Sequence, residues 1–288
     1  MAEPPIRCED YVRIRLGGWR LWLHKHVDRL SETLVDPQRH FDGVRGPFRR
    51  IPSSDHARVF KGSLSLLGRI HHVYLKQYLY RSPRDFVKHL FRPSRAVRSF
   101  RATLLLARNG LDAPRVIAVG ECRRFLFCTC CFVVTSSLEG AKPVYVWLGR
   151  DLPAADRHGR RRRRTFIRSL GGAVGRMHAR GVCHGDLRPG NILADDAGGD
   201  WRFYLLDNER TRAYKHLPRR LRIKNLVQIG MLHDDRVGRT DRLRFFKAYL
   251  RENPSLIGRH KRLAAAVSAR IRQRLAGKTE ACAATRPA

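Results

Sequence analysis

The stretch HGDLRPGNIL, residues 184–193, decides how the rest of this 288-residue chain is interpreted. It places Asp186 and Asn191 five positions apart, and Asp207 follows sixteen positions later at the end of the apolar segment WRFYLLD. The chain carries 59 Lys and Arg against 25 Asp and Glu, so acids at the ends of short apolar segments stand out. We expect those segments to hold the three oxygen-bearing side chains rigidly, as a chemical site requires.

The spacing predicts phosphoryl-transfer chemistry. An Asp, four intervening residues and an Asn form the catalytic-loop pattern of kinases, and a second Asp closes a later strand. That reaction needs a carboxylate that deprotonates an acceptor hydroxyl, and hard oxygen ligands for Mg²⁺ on the nucleotide phosphates. Asp186 is the candidate base, and Asn191 and Asp207 are the candidate metal ligands.

Two neighbours of Asp186 receive different assignments. Arg188 would reach the transferring phosphoryl group, where charge develops in the transition state. His184 is expected to hydrogen-bond the backbone of the loop, because Asp186 is the better-placed base.

The phosphates of a nucleotide also need a cation, and a lysine on a strand N-terminal to the catalytic loop would supply it. Lys76 in VYLKQY lies between apolar and aromatic residues and occupies the position of the Lys in the kinase pattern V-A-I-K. A solvent-facing strand lysine is the alternative.

The apolar periodicity predicts an α+β chain with a small antiparallel-sheet N-lobe and a mainly helical C-lobe. Paired strands are predicted in ARVFKG and HHVYLKQY, and a helix over 93–109 that ends at Gly110. The N-terminal GGWRLWLHKHVDRL suggests a strand and then a helix. Further predicted elements are strands in RVIAVGE and RFLFCTCCFVVT and helices at 161–180, 217–232, 239–253 and 259–275.

We expect four regions along the chain. They are an N-terminal extension (1–50), a nucleotide-binding N-lobe (51–138), a catalytic C-lobe (139–258) and a basic C-terminal helix or tail (259–288).

The formal net charge of +34 and the pI of about 11.3 predict an anionic partner, which would be nucleic acid, a membrane leaflet or a phosphorylated substrate. The hydrophobic fraction of 43% excludes a wholly disordered basic tail. The N-terminus has no signal-peptide pattern, and no apolar run reaches the roughly 18 residues of a membrane span. A cytoplasmic or membrane-peripheral protein is therefore expected.

The seven cysteines form no disulfide framework, which favours a reducing compartment. Cys128, Cys130 and Cys131 are close enough in sequence for metal ligation, but FCTCCFVV has the pattern of a core strand.

Six segments of the chain together resemble the lipopolysaccharide kinases, the Kdo/heptose kinase family, whose fold is similar to that of eukaryotic protein kinases. The resemblance implies an α+β, two-lobed, protein-kinase-like fold. The resemblance runs over about residues 57–250 and is carried by VYLKQY, SRAVRSFRATLLLARNGLDAPRVIAVGE, FVVTSSLEG, MHARGVCHGDLRPGNILAD, FYLLDNERTR and TDRLRFFKAYLR. It implies ATP-dependent phosphorylation of a sugar hydroxyl in the inner core of lipopolysaccharide. It also implies a glycolipid acceptor at the cytoplasmic face of a Gram-negative inner membrane, where Lys and Arg are attracted to anionic lipid.

The sequence departs from the protein-kinase pattern in three places. No Gly-rich loop precedes the paired strands, so IPSSDHA would have to cover the phosphates with backbone N–H groups and the hydroxyls of Ser53 and Ser54. The helix at 94–109 has no Glu to pair with Lys76, and Ser99 falls near the expected position. Asn208 replaces the Gly that usually follows the second metal-binding Asp.

Three alternatives stay open from sequence. In the first, the protein is a kinase whose acceptor is a protein or a small molecule. In the second, the kinase-like core is inert and the protein binds nucleic acid through aromatic and basic side chains, as in LGGWRLWLHKH. The arginine run at 160–164 and the tail at 259–275 are either solvated surfaces or membrane contacts.

Overall fold

The computed structural model describes residues 7–16, 18–25, 27, 48–53, 55–66, 69–79, 92–125, 127–152, 156–232 and 236–284. The chain divides into two compact units, Met1–Glu139 and Gly140–Ala288.

The first unit is built on an antiparallel sheet, which has seven strands in the described part of the chain. In space the strands run in the order β1-β2-β6-β7-β5-β4-β3. Their bounds are Tyr11–Leu16 (β1), Trp19–His24 (β2), Arg49–Ile51 (β3), Ala57–Leu66 (β4), Arg69–Tyr78 (β5), Val116–Arg124 (β6) and Phe127–Ser136 (β7), and helix α1 spans Arg95–Arg108.

Side chains alternate across this sheet, so each strand contributes to two clusters. One face carries a core that includes Phe60, Leu75 and Phe132. The other face packs against α1 through Val97 and Phe100. Ser94 caps α1, its Oγ accepting a hydrogen bond from the Val97 N–H at 3.2 Å.

The N-terminal segment differs from its expected role as an extension. β1 and β2 form a hairpin, and β2 pairs with β6, so residues 11–24 are part of the sheet. The predicted strand is confirmed. The helix expected in the rest of that stretch, up to Leu30, falls largely outside the described residues.

The second unit is mainly helical. Its helices are Val144–Val146 (α2), which continues as a π-helical turn Trp147–Asp151, then Arg157–Ala179 (α3), Arg219–Ile229 (α4), Arg239–Arg251 (α5) and His260–Ala284 (α6). Short strands are Lys142–Pro143 (β8), Val182–Cys183 (β9), Ile192–Ala197 (β10), Asp200–Leu205 (β11) and Arg212–Ala213 (β12), and 3-10 turns lie at Pro189–Asn191, Asn208–Arg210 and Pro254–Arg259.

Helices α3 and α5 pack closely because α3 presents glycine. A Cβ on Gly171 would lie 2.4 Å from the carbonyl oxygen of Phe245. Buried Phe166, Leu170 and Met177 of α3 supply the core there.

The arginine run 160–164 lies in the first turns of α3, and part of it is not solvated. Arg163 pairs with Asp241 at 3.0 Å and donates to the carbonyls of Leu148 and Leu152. Arg162 pairs with Asp196 at 2.6 Å and lies over the rings of Trp147 and Trp201. These two arginines anchor α3 to its neighbours within the unit.

The cysteine-rich segment forms strand β7, and Cys128 and Cys131 are buried in it. Each cysteine whose side chain is described is a free thiol. Across the described ranges, the helices are all too short or too polar to cross a bilayer.

Candidate active site

The predicted catalytic residues of the second unit lie on a segment that two antiparallel strand pairs hold together. β9 precedes Asp186, and β12 follows Asp207. The two strands pair, with Cys183 opposite Arg212 and Val182 opposite Ala213. The β10–β11 hairpin lies between Asn191 and Asp207, with Ile192 opposite Leu205. The topology therefore ties both ends of the segment together.

Asp186 is held by three side-chain donors. Its Oδ1 accepts from Arg188 Nε at 2.9 Å and from Gln228 Nε2 at 3.0 Å. Its Oδ2 accepts a longer bond from Asn191 Nδ2 at 3.3 Å. Because Oδ1 has two short partners, Oδ2 is the oxygen better able to accept another proton.

Asn191 is oriented by the same loop. Its Nδ2 also donates to the backbone carbonyl of Asp186 at 2.9 Å. With the amide nitrogen turned toward Asp186, Oδ1 is the atom of Asn191 suited to bind a cation.

Asp207 follows β11 and has a left-handed backbone, with φ 56° and ψ 46°. Non-glycine residues seldom adopt this conformation, although Asp tolerates it better than most. The N–H of Leu206 donates to the carbonyl of Asn191 at 2.9 Å, so the peptide before Asp207 is fixed to the loop. Asp207 itself is exposed.

His184 is fully buried and acts as a connector. Its Nε2 donates to the Leu206 carbonyl at 2.8 Å and to Asn208 Oδ1 at 3.1 Å, while Nδ1 accepts from the Asp186 N–H at 3.2 Å. Burial lowers the pKa of His184, and these bonds require the neutral ring with its proton on Nε2. The structural role predicted for His184 agrees with this geometry.

Sequence reasoning missed two residues of α4 that support the loop. Asn225 Nδ2 donates to the carbonyl of His184 at 2.5 Å. Gln228 Oε1 accepts from the Leu187 N–H at 3.2 Å and from Asn225 Nδ2 at 3.0 Å, while its Nε2 holds Asp186. The sequence signal for these two residues was a pair of amides three positions apart within the otherwise apolar segment NLVQI.

A second buried histidine extends this network. His178 Nε2 donates to Asn225 Oδ1 at 3.2 Å, and Nδ1 accepts from the Tyr249 hydroxyl at 3.0 Å. The Tyr249 oxygen also accepts from Arg222. Burial lowers the pKa of His178 to about 3, so the ring is neutral at physiological pH.

Lys76 belongs to the first unit, on the interior strand β5. Side-chain alternation places it on the same face as Tyr78, the face that packs against α1. Its Nζ lies 5.3 Å from the centre of the Tyr78 ring. Ser99 is buried on α1.

The segment proposed to cover phosphates is only partly described. Ser53 Oγ donates to the Ala57 carbonyl at 2.8 Å, and Ser54 lies outside the described residues.

The donor set around the loop fits a magnesium ion bound through its substrate. Within the residues described, no group of three or more His, Cys, Asp and Glu is arranged to hold a metal. Asn191 and Asp207 are hard oxygen donors, and Mg²⁺ in nucleotide enzymes takes one or two such ligands plus phosphate oxygens and water. The residues present therefore fit that ion.

Comparison with solved structures identifies the fold. A solved structure described as WaaP in complex with acyl carrier protein matches with a TM-score of 0.62 and 20% identity, covering 88% of this chain and 98% of that chain. The predicted two-lobed kinase-like α+β fold is confirmed by this match.

A curated relative matches over a short segment. The EKC/KEOPS complex subunit BUD32 of Kluyveromyces lactis is 38% identical over 63 residues, which is 22% of this chain and 22% of that protein.

The model of the lipopolysaccharide kinase (Kdo/WaaP) family matches residues 49–249. That range is more than half of the chain and contains the loop, Asp207 and Lys76. The family predicted from the sequence is confirmed, and the chain belongs to the lipopolysaccharide kinase (Kdo/WaaP) family.

Proposed function

We propose that this protein transfers the γ-phosphate of ATP to a sugar hydroxyl of the lipopolysaccharide inner core, on a Kdo or heptose residue. Family membership supports a kinase of the lipopolysaccharide core. The observation that carries the proposal is that the Asp186 carboxylate accepts hydrogen bonds from Arg188, Gln228 and Asn191. Leu206, the residue before Asp207, is hydrogen-bonded to Asn191 of the same loop.

In this proposal Asp186 is the base. Its Oδ2 has one long hydrogen bond, so it can accept the proton of the sugar hydroxyl while Oδ1 stays anchored. The anchoring keeps the carboxylate aimed at its acceptor, which is a major part of catalysis in phosphoryl transfer. Arg188 is 71% exposed at its side chain, and we assign its guanidinium to the transferring phosphoryl group.

Asn191 Oδ1 and the Asp207 carboxylate would hold Mg²⁺. When bound, the ion would neutralise the phosphate oxygens on which negative charge accumulates. Lys76 is assigned to the nucleotide phosphates, as its place in the strand pattern suggests.

The charge supports a membrane-associated acceptor. A net charge of +34 would concentrate the protein at a leaflet that contains anionic lipid and an anionic glycolipid. We place the enzyme on the cytoplasmic face of the inner membrane, as a peripheral protein.

We also propose a carrier protein as a partner. The WaaP structure was solved with acyl carrier protein. The second unit here has a cavity of about 290 Å³ lined mainly by apolar residues of α3 to α6, among them Leu170, Leu226, Phe245 and Val267. A cavity of this chemistry suits an acyl chain. Binding of acylated but not unacylated carrier protein would support this partner.

One transfer assay tests the function. Purified full-length protein is given radiolabelled ATP, Mg²⁺ and either lipopolysaccharide core, a generic protein or no acceptor. We expect label on the glycolipid, with loss of at least 100-fold in Asp186→Asn and Asp207→Asn, and no loss in the exposed control Asp200→Asn. Label on the generic protein alone would show that the acceptor is a protein and not the glycolipid. RNA binding without ATP turnover would refute the proposed kinase activity.

A further inference from the structure

Two hairpin turns lie side by side at one end of the first unit's sheet. β1 ends at Leu16, opposite Trp19 at the start of β2, and β6 ends at Arg124, opposite Phe127 at the start of β7. Trp19 is in register with Cys122, and the Arg123 N–H donates to the Gly18 carbonyl at 3.4 Å. The two turns are therefore direct neighbours at this end of the sheet.

The two turns differ in chemistry. Two-residue hairpin turns need positive φ, and Gly18 meets that need with φ 81°. Phe125 has φ 54°, a conformation that is a genuine outlier for a bulky side chain. Its side chain is also 92% exposed, so burial within this chain does not offset the backbone cost. A strained, exposed aromatic residue at a turn is the kind of outlier from which function is inferred.

Further apolar and basic residues flank the two turns. Leu16 is 41% exposed and Phe127 is 38% exposed, while Arg15 and Arg124 are exposed beside them. We name this set, Arg15, Leu16, Arg124, Phe125 and Phe127, the hairpin pad.

The nearby acid does not neutralise the pad. Glu121 is buried and lies 3.9 Å from Arg20 and 3.3 Å from Arg123, so its charge is already balanced by those two arginines. The pad is therefore apolar at its tip and cationic at its sides.

We propose that the hairpin pad inserts into the interfacial layer of a bilayer containing anionic phospholipid. Phe125, Phe127 and Leu16 enter the boundary between headgroups and acyl chains, and the arginines keep their charged ends among the phosphates. Aliphatic Leu16 cannot stack on a base, which favours lipid over single-stranded nucleic acid. This inference goes beyond phosphoryl transfer, because it assigns a separate surface to membrane docking.

Vesicle sedimentation of the full chain tests the proposal, with phosphatidylglycerol-containing vesicles against pure phosphatidylcholine. Phe125→Asn keeps the net charge and suits positive φ, so its melting temperature should equal or exceed that of the wild type. We expect its partition onto anionic vesicles to fall about tenfold, the scale of losing one buried aromatic side chain. The matched control is Ile70→Asn, since Ile70 is 78% exposed beyond the β4–β5 turn at the opposite end of the sheet.

A second measurement places the tip in lipid. Phe125→Trp should shift its emission to the blue with anionic vesicles, and Ile70→Trp should not. The proposal is overturned if Phe125→Asn binds vesicles like the wild type, if Ile70→Asn loses as much, or if Phe125→Asn loses RNA binding alone. Transfer to a soluble, deacylated core acceptor should be unchanged in Phe125→Asn, so a failure of docking is distinguishable from a failure of the proposed kinase activity.

Discussion

Gln228 Nε2 donates a 3.0 Å hydrogen bond to Asp186 Oδ1, and so connects helix α4 to the carboxylate of the candidate base. The same side chain accepts from the Leu187 N–H through Oε1. Gln228 therefore positions both the carboxylate and the peptide that follows it.

Gln228→Glu should separate these two contributions. The new carboxylate still accepts from Leu187 and Asn225, but it faces Asp186 Oδ1 without a proton to donate. We expect kcat to fall about tenfold to 100-fold, the scale of a misplaced catalytic group, with KM for ATP nearly unchanged. The control is Gln273→Glu on the exposed surface of α6. An unchanged kcat in Gln228→Glu would show that the bond to Asp186 is dispensable.

Asp207 combines a functional carboxylate with a left-handed backbone. Two substitutions separate the effect of losing the carboxylate on transfer from the effect of the backbone conformation on stability. Both Asp207→Gly and Asp207→Ala should abolish transfer. The glycine variant should be more stable than the alanine variant by about 1 kcal/mol, because only glycine adopts positive φ without steric cost. Thermal melting measures the difference, and equal melting temperatures would argue against the left-handed conformation.

Buried His178 should make stability depend on pH. Its pKa is about 3 in the folded protein and 6.5 in the reference state, so the unfolded chain binds a proton that the folded chain excludes. Stability contributed by neutral His178 is present above about pH 6.5 and is lost as the pH falls toward 3, by up to about 1.4 kcal/mol per pH unit.

Urea unfolding at about pH 7 and about pH 5 checks this dependence. Between those values, His178→Gln should lose about 2 kcal/mol less than the wild type. Exposed His71→Gln should lose as much as the wild type. The comparison uses the difference between the two pH values, because His178→Gln also removes packing and lowers stability at both.

Two glycines of the catalytic loop should respond differently to alanine. A Cβ on Gly185 would lie 2.1 Å from Arg210 Cβ and 2.9 Å from the Arg210 carbonyl oxygen. A Cβ on Gly190 would lie 3.7 Å from the Tyr145 ring, an ordinary contact. We expect Gly185→Ala to cost about 1–3 kcal/mol of stability and to lower activity. Gly190→Ala should stay within about 0.5 kcal/mol of the wild type, and a reversed order would contradict the packing of this loop.

Local pattern was enough for much of the fold. The helix predicted at 93–109 appears as Arg95–Arg108, and the one at 161–180 appears as Arg157–Ala179. Both carry an amphipathic period whose apolar face becomes buried. The strands around Lys76 were also recognisable, because β-branched and aromatic residues alternate there.

The contacts missed from sequence are those made between distant segments. Gln228 is 42 positions from Asp186, and single-sequence spacing gives no measure of which distant amide will reach a carboxylate. The turn at Phe125 was missed for a different reason. Its residues have none of the Gly, Asn or Asp chemistry that marks a hairpin turn, so the segment resembled an uninterrupted strand.

The β10–β11 hairpin has a consequence for how this enzyme family can diverge. Its turn, Gly198–Gly199, projects into open space, with no atom within 4 Å of a Cβ built on either residue. The opposite end of the hairpin is fixed by the hydrogen bond from the Leu206 N–H to the Asn191 carbonyl. Extra residues accepted at the turn would lengthen the hairpin outward without moving either end. Homologues are thus free to vary the interval between the two oxygen donors, and an epitope tag or fluorophore inserted there should leave turnover intact.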